Sequence, residues 1–333
     1  MILHIMILDK FLPPFIDFVN EHFDASNHKF IFIGKPKYEY GLTPEHEVEW
    51  IDYSEIESFK LLHYMYSAQK IILHGLWVNQ IDELLFRHSW LLKKCYWVMW
   101  GGDFYFPEKQ SWVKKQVIKK MGYLVTGTPG DYELAKKWYG AIGKHIKCFT
   151  YPSNLYKEYD IKPKSHSIIN IQLGNSATDT NNHIEVLEKL LIKYKDKNIK
   201  IYVPLSYGDK EYAKIVISEG RKLFGEKFVP LTEFMPLEKY LEFLSRIDIA
   251  IFAHKRQQAF GNIITLLGMG KKVYLNKVST INGVCREFNI KVFSLDEFNI
   301  ELIDDKTRKL NIENVKKHFS KESLVRSLSY WIN

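Results

Sequence analysis

The chain has 333 residues, long for one domain and sufficient for two with separate cores. Its apolar share of 46% and charged share of 26% exclude a disordered or fibrous chain. A net charge of +8, with a pI near 9.0, asks for an anionic partner.

No zinc-ligand spacing, RNP-type aromatic motif or helix-turn-helix signature directs that charge to nucleic acid. An anionic membrane face and a phosphorylated substrate remain. Cys95, Cys148 and Cys285 are odd in number and far apart. They form neither a disulfide framework nor a metal cluster, which suits a reducing cytoplasm.

The opening MILHIMIL is apolar but short, lacks a basic leader and meets Asp9 and Lys10 at once. It reads as a first buried strand, not a signal peptide. No run approaches the ~18 apolar residues of a transmembrane helix. Further strands are expected at Phe30–Ile33, Lys70–Leu73, Tyr96–Met99 and Tyr123–Thr126, with helical patterns between several of them. Trp112–Leu124 has helical spacing, with Val113, Val117, Ile118 and Met121 on one side and Lys115 and Lys119 opposite. Lys114 falls inside its apolar sector. Such a helix either lies on anionic lipid or packs on a sheet with its lysines in solvent. Tyr151–Ser167, with two prolines and three lysines, reads as a linker between a first domain over 1–150 and a second over 168–311.

In the second half, strands are expected near 168–173, 199–204, 247–252, 273–275 and 291–293, with a short one at Phe228–Val229. A helix is expected over Leu237–Ser245, and 312–333 reads as a terminal helix able to reach back to the first half. This alternation implies an α/β protein with two doubly wound, Rossmann-like parallel sheets and ligands in the crevice between them.

The chemistry concentrates at the strand ends. In Ile247–Asn276 an apolar strand meets the polar elbow His254–Gln258, and Gly261-Asn262 open a helix ended by Gly268 and Gly270. A helix N-terminus offers unpaired N–H groups and a positive dipole end, and Arg256, Gln257 and Gln258 just before it make a seat for a diphosphate. An ordinary solvated crossover is an equal reading of that segment alone. Gly174-Asn175-Ser176 forms a second strand-to-helix turn able to offer N–H groups to an anion. Ser206-Tyr207-Gly208 follows a third strand. Neither G-x-G-x-x-G nor G-x-x-x-x-G-K-[ST] occurs, so neither a dinucleotide fingerprint nor an ATP-type P-loop is indicated.

The order LGNS (Leu173–Ser176), NNHIEVL (Asn181–Leu187), VPLSYGDKEYAKIVISEG (Val203–Gly220) and FAHKRQQAFG (Phe252–Gly261) resembles glycosyltransferase family 56. In the first half the resemblance rests on His74-Gly75, WVMWGGDFY (Trp97–Tyr105) and Gly130-Asp131. It implies a GT-B fold with the donor mainly on the second domain and the acceptor on the first. It also implies a dTDP-4-acetamido-4,6-dideoxyhexose (Fuc4NAc-like) donor and a polyprenyl-diphosphate-linked acceptor. The setting it implies is bacterial surface polysaccharide synthesis, in the cytoplasm and peripheral on the inner face of the inner membrane. Alternatives are a GT-B transferase or epimerase using another nucleotide sugar, and a non-catalytic sugar-nucleotide or membrane-binding module.

Many retaining GT-B transferases carry a glutamate-glycine-phenylalanine-glycine turn where this chain has Gln258-Ala259-Phe260-Gly261, and a ribose-binding glutamate where it has Leu266. The missing carboxylate suits a 2′-deoxyribose. Arg256 is the candidate for diphosphate charge, with Lys255 second, because a guanidinium fork matches phosphate oxygens. Tyr207 is read as stacking on the base, bonding a phosphate, or standing exposed with no special role. No D-x-D motif occurs, so no metal cofactor is expected at the leaving diphosphate. Asp103, after two glycines that permit a sharp backbone excursion, is the first candidate for the base that deprotonates the acceptor hydroxyl. His74 is its rival by virtue of its intrinsic pKa. Asp131 reads as a helix cap.

Overall fold

The computed structural model describes residues 1–35, 40–158 and 167–333. They form two compact units, Met1–Leu155 with Lys321–Asn333, and Tyr156–Ser320. Residues 159–166 of the expected linker lie outside the described residues.

The first unit is built on seven parallel strands: β1 (Ile2–Met6), β2 (His28–Ile33), β3 (Glu49–Ile51), β4 (Lys70–His74), β5 (Cys95–Val98), β6 (Tyr123–Val125) and β7 (Lys144–Ile146). Their order is β3-β2-β1-β4-β5-β6-β7. Period-two alternation divides the apolar strand residues between two cores. Leu3, Ile5, Ile31, Ile33, Ile71, Leu73 and Trp97 face the helices Phe59–Ser67, Asn79–Arg87, Trp112–Lys120 and Pro129–Tyr139. Ile2, Met6, Phe30, Phe32, Ile72, Tyr96 and Val98 face the helices Leu12–His22 and Lys321–Ser329. Both faces are covered, so these strands read as nearly continuous apolar runs.

The second unit has six parallel strands: β8 (Ile169–Leu173), β9 (Ile199–Pro204), β10 (Phe228–Leu231), β11 (Ile249–Phe252), β12 (Lys272–Leu275) and β13 (Phe293–Ser294). Their order is β10-β9-β8-β11-β12-β13. In each sheet the order reverses once, between β1 and β4 and between β8 and β11. Ligands of doubly wound sheets bind outside the carboxyl ends of the strands at such reversals, where neighbouring loops leave in opposite directions.

Three expectations change. Strands β3 and β7 were not anticipated; both are short edge strands with polar or half-exposed residues. The tail is not one helix. Asp305–His318 stays with the second unit through buried Val315 and Asn311, whose side chain bonds both backbone groups of Lys291. The chain breaks at Phe319–Ser320, and Leu324, Leu328, Trp331 and Ile332 enter the core of the first unit. Finally, the basic helix ends at Lys120, and Val117 and Ile118 on its apolar side are covered by the unit's own core. Lys114 is buried and donates to the Leu76 carbonyl at 2.7 Å. What this helix leaves outside is Trp112, 63% exposed, with Lys119 and Lys120.

Candidate functional site

In the second unit the strand ends singled out in the sequence meet at the β8/β11 reversal. A chain of side-chain hydrogen bonds joins three loops. Thr180 Oγ1 donates to Gln258 Oε1 at 2.8 Å, and Gln258 Nε2 donates to Asn175 Oδ1 at 3.0 Å. Asn175 Nδ2 donates to the Tyr207 hydroxyl at 2.7 Å. Backbone bonds tie the same loops: Ala177 N–H donates to Tyr207 O and Asp209 N–H to Ala177 O, each at 2.8 Å. Asn182 Nδ2 reaches the Ala253 carbonyl at 3.0 Å, crossing from the β8 loop to the β11 loop. Tyr207 remains 47% exposed, its ring offered to solvent while its hydroxyl is held.

The helix Phe260–Gly268 starts from Ala259 in the left-handed region, φ 57°. Its first internal bond is from Ile263 N–H to Ala259 O, so the amides of Gly261 and Asn262 precede the helical ladder. Arg256 and Gln257 stand half-buried in the bend ahead of it. His254 is fully buried beneath that bend, with Nδ1 2.8 Å from the Arg256 carbonyl. A carbonyl can only accept, so Nδ1 carries the proton. Burial pushes the ring down to about 4. Leu266, at the place of the ribose carboxylate in other GT-B enzymes, is fully buried.

Gly174 closes β8 with φ +69°, and an added Cβ would lie 2.6 Å from His183 Nε2 and 3.0 Å from Asn181 Oδ1. Both neighbours are fully buried and have nowhere to retreat. Gly174→Ala is therefore expected to cost about 2–3 kcal/mol through left-handed strain and crowding. It should also displace the Asn175 amide from Gln258. Urea unfolding of the variant measures the first effect; a change below ~0.5 kcal/mol would show that the turn relaxes freely.

In the first unit the carboxyl edge of the sheet is aromatic and strongly hydrogen-bonded. Asp103 does not project into an open cleft. It is 1% exposed. Its Oδ2 accepts from Trp97 Nε1 at 2.7 Å and Leu76 N at 3.1 Å, and its Oδ1 from Trp100 N at 3.1 Å. Burial raises its pKa, while these donors oppose the rise. The glycines before it serve a closed loop pinned by the carboxylate, and this geometry gives Asp103 a clamping role, not that of an accessible base.

His74 is likewise buried, and it belongs to a relay. Trp100 Nε1 donates to the Tyr151 hydroxyl at 2.8 Å; that hydroxyl lies 2.7 Å from His74 Nδ1. His74 Nε2 lies 3.0 Å from His4 Nδ1, and His4 Nε2 lies 2.9 Å from His28 Nδ1. An indole only donates, which leaves the Tyr151 proton for His74, and in that arrangement each following ring carries its proton on Nε2. Burial holds His74 down to about 3. A ring so reluctant to take a proton is a poor base near neutrality. Asp131 is not the cap expected of it but sits in the first turn of Pro129–Tyr139. It accepts from the Tyr105 and Thr128 hydroxyls at 2.7 and 2.5 Å, and Thr128 is the N-cap.

The structure thus joins Asn175, Tyr207 and Gln258 directly and seats Gly174, Ser176, Arg256, Gln257, Gly261 and Asn262 in the same loops. Thr180, Asn182, His183 and His254 were not named as site residues, although the last three lie in the segments NNHIEVL and FAHKRQQAFG that carry the resemblance; for Thr180 the signal was position alone.

Residues 15–324 match the family described as 4-alpha-L-fucosyltransferase, glycosyl transferase group 56. Among solved structures, a glycosyltransferase from Rickettsia africae ESF-5 superposes with a TM-score of 0.70 at 13% identity, over 99% of this chain and 96% of that one. HepE from Anabaena, in complex with UDP and glucose, gives 0.68 at 12% identity, over 100% and 99%. Sucrose-phosphate synthase from Thermosynechococcus elongatus gives 0.69 at 10% identity, over 100% and 98%. At these identities the likeness is one of fold, and that fold is GT-B.

Proposed function

The chain belongs to glycosyltransferase group 56, and we propose that it moves a 4-acetamido-4,6-dideoxyhexose from a dTDP-sugar to a hydroxyl of a polyprenyl-diphosphate-linked saccharide. The observation that carries the donor half of this reading is the Thr180–Gln258–Asn175–Tyr207 network at the β8/β11 reversal. It holds a half-exposed tyrosine, a guanidinium and a helix N-terminus on loops that leave one edge of one sheet. The likeness to HepE, which binds UDP and glucose, supports a sugar-nucleotide donor. The motif resemblance and the buried Leu266 support a deoxyribose nucleotide.

When the sugar–phosphate bond breaks, its electron pair leaves on the diphosphate. In this reading the Arg256 guanidinium and the amides of Gly261 and Asn262 meet that charge without a metal. The net charge of +8 supports an anionic membrane surface as the setting where a lipid-linked acceptor is found. Among the described residues no helix is long and apolar enough to cross a membrane.

Calorimetric titration with dTDP, UDP, GDP and CMP, with and without magnesium, tests the reading. We expect dTDP to bind selectively and without magnesium. Arg256→Ala should weaken it by about 2 kcal/mol, roughly 30-fold, the value of a charge-assisted hydrogen bond. Tighter UDP or GDP binding would keep the enzyme class and replace the donor. Binding that requires magnesium would remove Arg256 from its leading role.

A further inference from the structure

The first unit has its own reversal, between β1 and β4, and a cavity opens there, lined by Ile7, His74, Gly75, Trp77, Val78 and Asp82 among others. Asp9 stands on the loop that leaves β1 at this edge. Its surroundings separate it from the other carboxylates nearby. Asp103 and Asp131 are closed off by the donors described above, and Asp82, 1% exposed, has Lys114 Nζ 3.7 Å away. Asp9 is half-buried, and among the described residues no side-chain donor engages it; the Phe11 amide donates to Oδ1 at 3.3 Å. Phe11, from whose amide it accepts, begins a run of aromatic rings. Phe11 meets Trp100 edge-on at 5.8 Å, and Trp100 meets Trp77 at 6.0 Å. Trp77 is 39% exposed. It lies against Gly75, φ +79°, where any Cβ would overlap the indole.

Aromatic faces beside one accessible carboxylate form a surface suited to a sugar ring, whose C–H face packs on the rings while its hydroxyls seek an acceptor. We propose that Asp9, with Phe11, Trp77 and Trp100, forms the subsite for the acceptor's terminal sugar, and that Asp9 takes the proton of the attacking hydroxyl. The inference rests on the transferase reading above. In the step, the hydroxyl oxygen bonds the anomeric carbon, the bond from that carbon to the diphosphate breaks with its electron pair on the diphosphate, and the proton passes to the Asp9 carboxylate. Burial raises the Asp9 pKa, opposed by the Phe11 amide and by Lys10, and this favours proton acceptance. The titratable groups that face it are Lys10 on its own loop and the Tyr151 phenol; His74 beyond that phenol stays neutral.

The test follows transfer of labelled 4-acetamido-4,6-dideoxyhexose from its dTDP donor to the lipid-linked saccharide fraction of bacterial membranes. Asp9→Asn should lower kcat at least ~100-fold, the usual share of a general base, with dTDP affinity unchanged within about twofold. The acid limb of the wild-type kcat profile should vanish in Asp9→Asn and return, displaced, in Asp9→Glu. Trp77→Ala should raise the acceptor KM about tenfold with a smaller change in kcat. An active wild type whose Asp9→Asn variant keeps kcat within threefold, or keeps the acid limb, overturns this inference alone. A wild type that binds dTDP and transfers nothing overturns it together with the acceptor half of the reading above.

Discussion

Asparagine in place of Asp103 should destabilise the first unit by about 3 kcal/mol, and alanine by about 4–5 kcal/mol. The carboxylate is bonded only by donors: the Trp97 indole and the Leu76 amide at Oδ2, the Trp100 amide at Oδ1. Aspartate can accept at both oxygens. Asparagine must place its NH₂ at one of them, so an N–H faces an N–H inside a buried site. Alanine abandons all three donors in a buried place, and each buried unsatisfied group costs about 1–3 kcal/mol. Urea midpoints read by tryptophan fluorescence measure the loss. A midpoint unchanged in Asp103→Asn would remove the clamp. The clamp also matters for reading activity. It holds the Leu76 amide and the Trp100 amide in one place, and thereby sets the loops that carry Trp77 and Trp100. A dead Asp103 variant would therefore report disorder at this edge of the first sheet, not a missing base.

That role was hidden for a physical reason. The signal in the sequence was local, a carboxylate after two glycines, whereas the partners that define it are an indole in the preceding strand and an amide 27 positions back. The same contrast runs through the chain. The two sheets were legible because parallel strands covered on both faces must be apolar at nearly every position, as in Cys95–Val98 and Ile249–Phe252. β7, Lys144–Ile146, carries no such run, since an edge strand half in solvent need not. The tail helix was legible as helix but not as two, because the break at Phe319–Ser320 has neither glycine nor proline and serves the membership of its halves in different units. The polar loops after β8, β9 and β11 were legible one by one. Their union was not: Gln258 finds Asn175 across 83 positions and Thr180 across 78. Asp9 was read only as the end of an apolar run. Nothing local announces that its strand lies at the reversal of the sheet.

The histidines make the largest solution effect we expect, a steep loss of stability on mild acidification. His4, His74, His183 and His254 are buried. Burial holds His74 down to about 3, His183 and His254 to about 4, and His4 well below its ordinary value, with the His74 and His28 rings adding to the last. In the relay a second proton on His4 or His74 would set N–H against N–H, which is the structural face of the same preference. A pKa depressed in the fold gives stability that is complete above the unfolded value of about 6.5 and drains away as pH falls toward the folded value. Each such ring contributes a slope of about 1.4 kcal/mol per pH unit in that window. Asp82 works the other way. Burial lifts its carboxyl to about 7, with Lys114 opposing, so between about pH 4 and 7 the folded chain holds a proton there that the unfolded chain has lost. His28, half-buried and also held down to about 4, adds a fifth ring discounted for its exposure, and five rings against one carboxyl leave a net slope of about 4 kcal/mol per pH unit between pH 6 and 5, summed over the two units. A fold at the low end of the usual range of about 5–15 kcal/mol would then unfold near pH 5, and one at the high end would keep a reserve there. Urea midpoints at pH 8, 7, 6 and 5 should be level over the first interval and fall steeply over the last. His74→Gln should reduce the slope by about 1.4 kcal/mol per pH unit, because the amide can accept from Tyr151 and donate to His4 but does not titrate. Level midpoints from pH 7 to 5 would mean that the fold accommodates the imidazolium ions, and the relay as drawn would have to be abandoned.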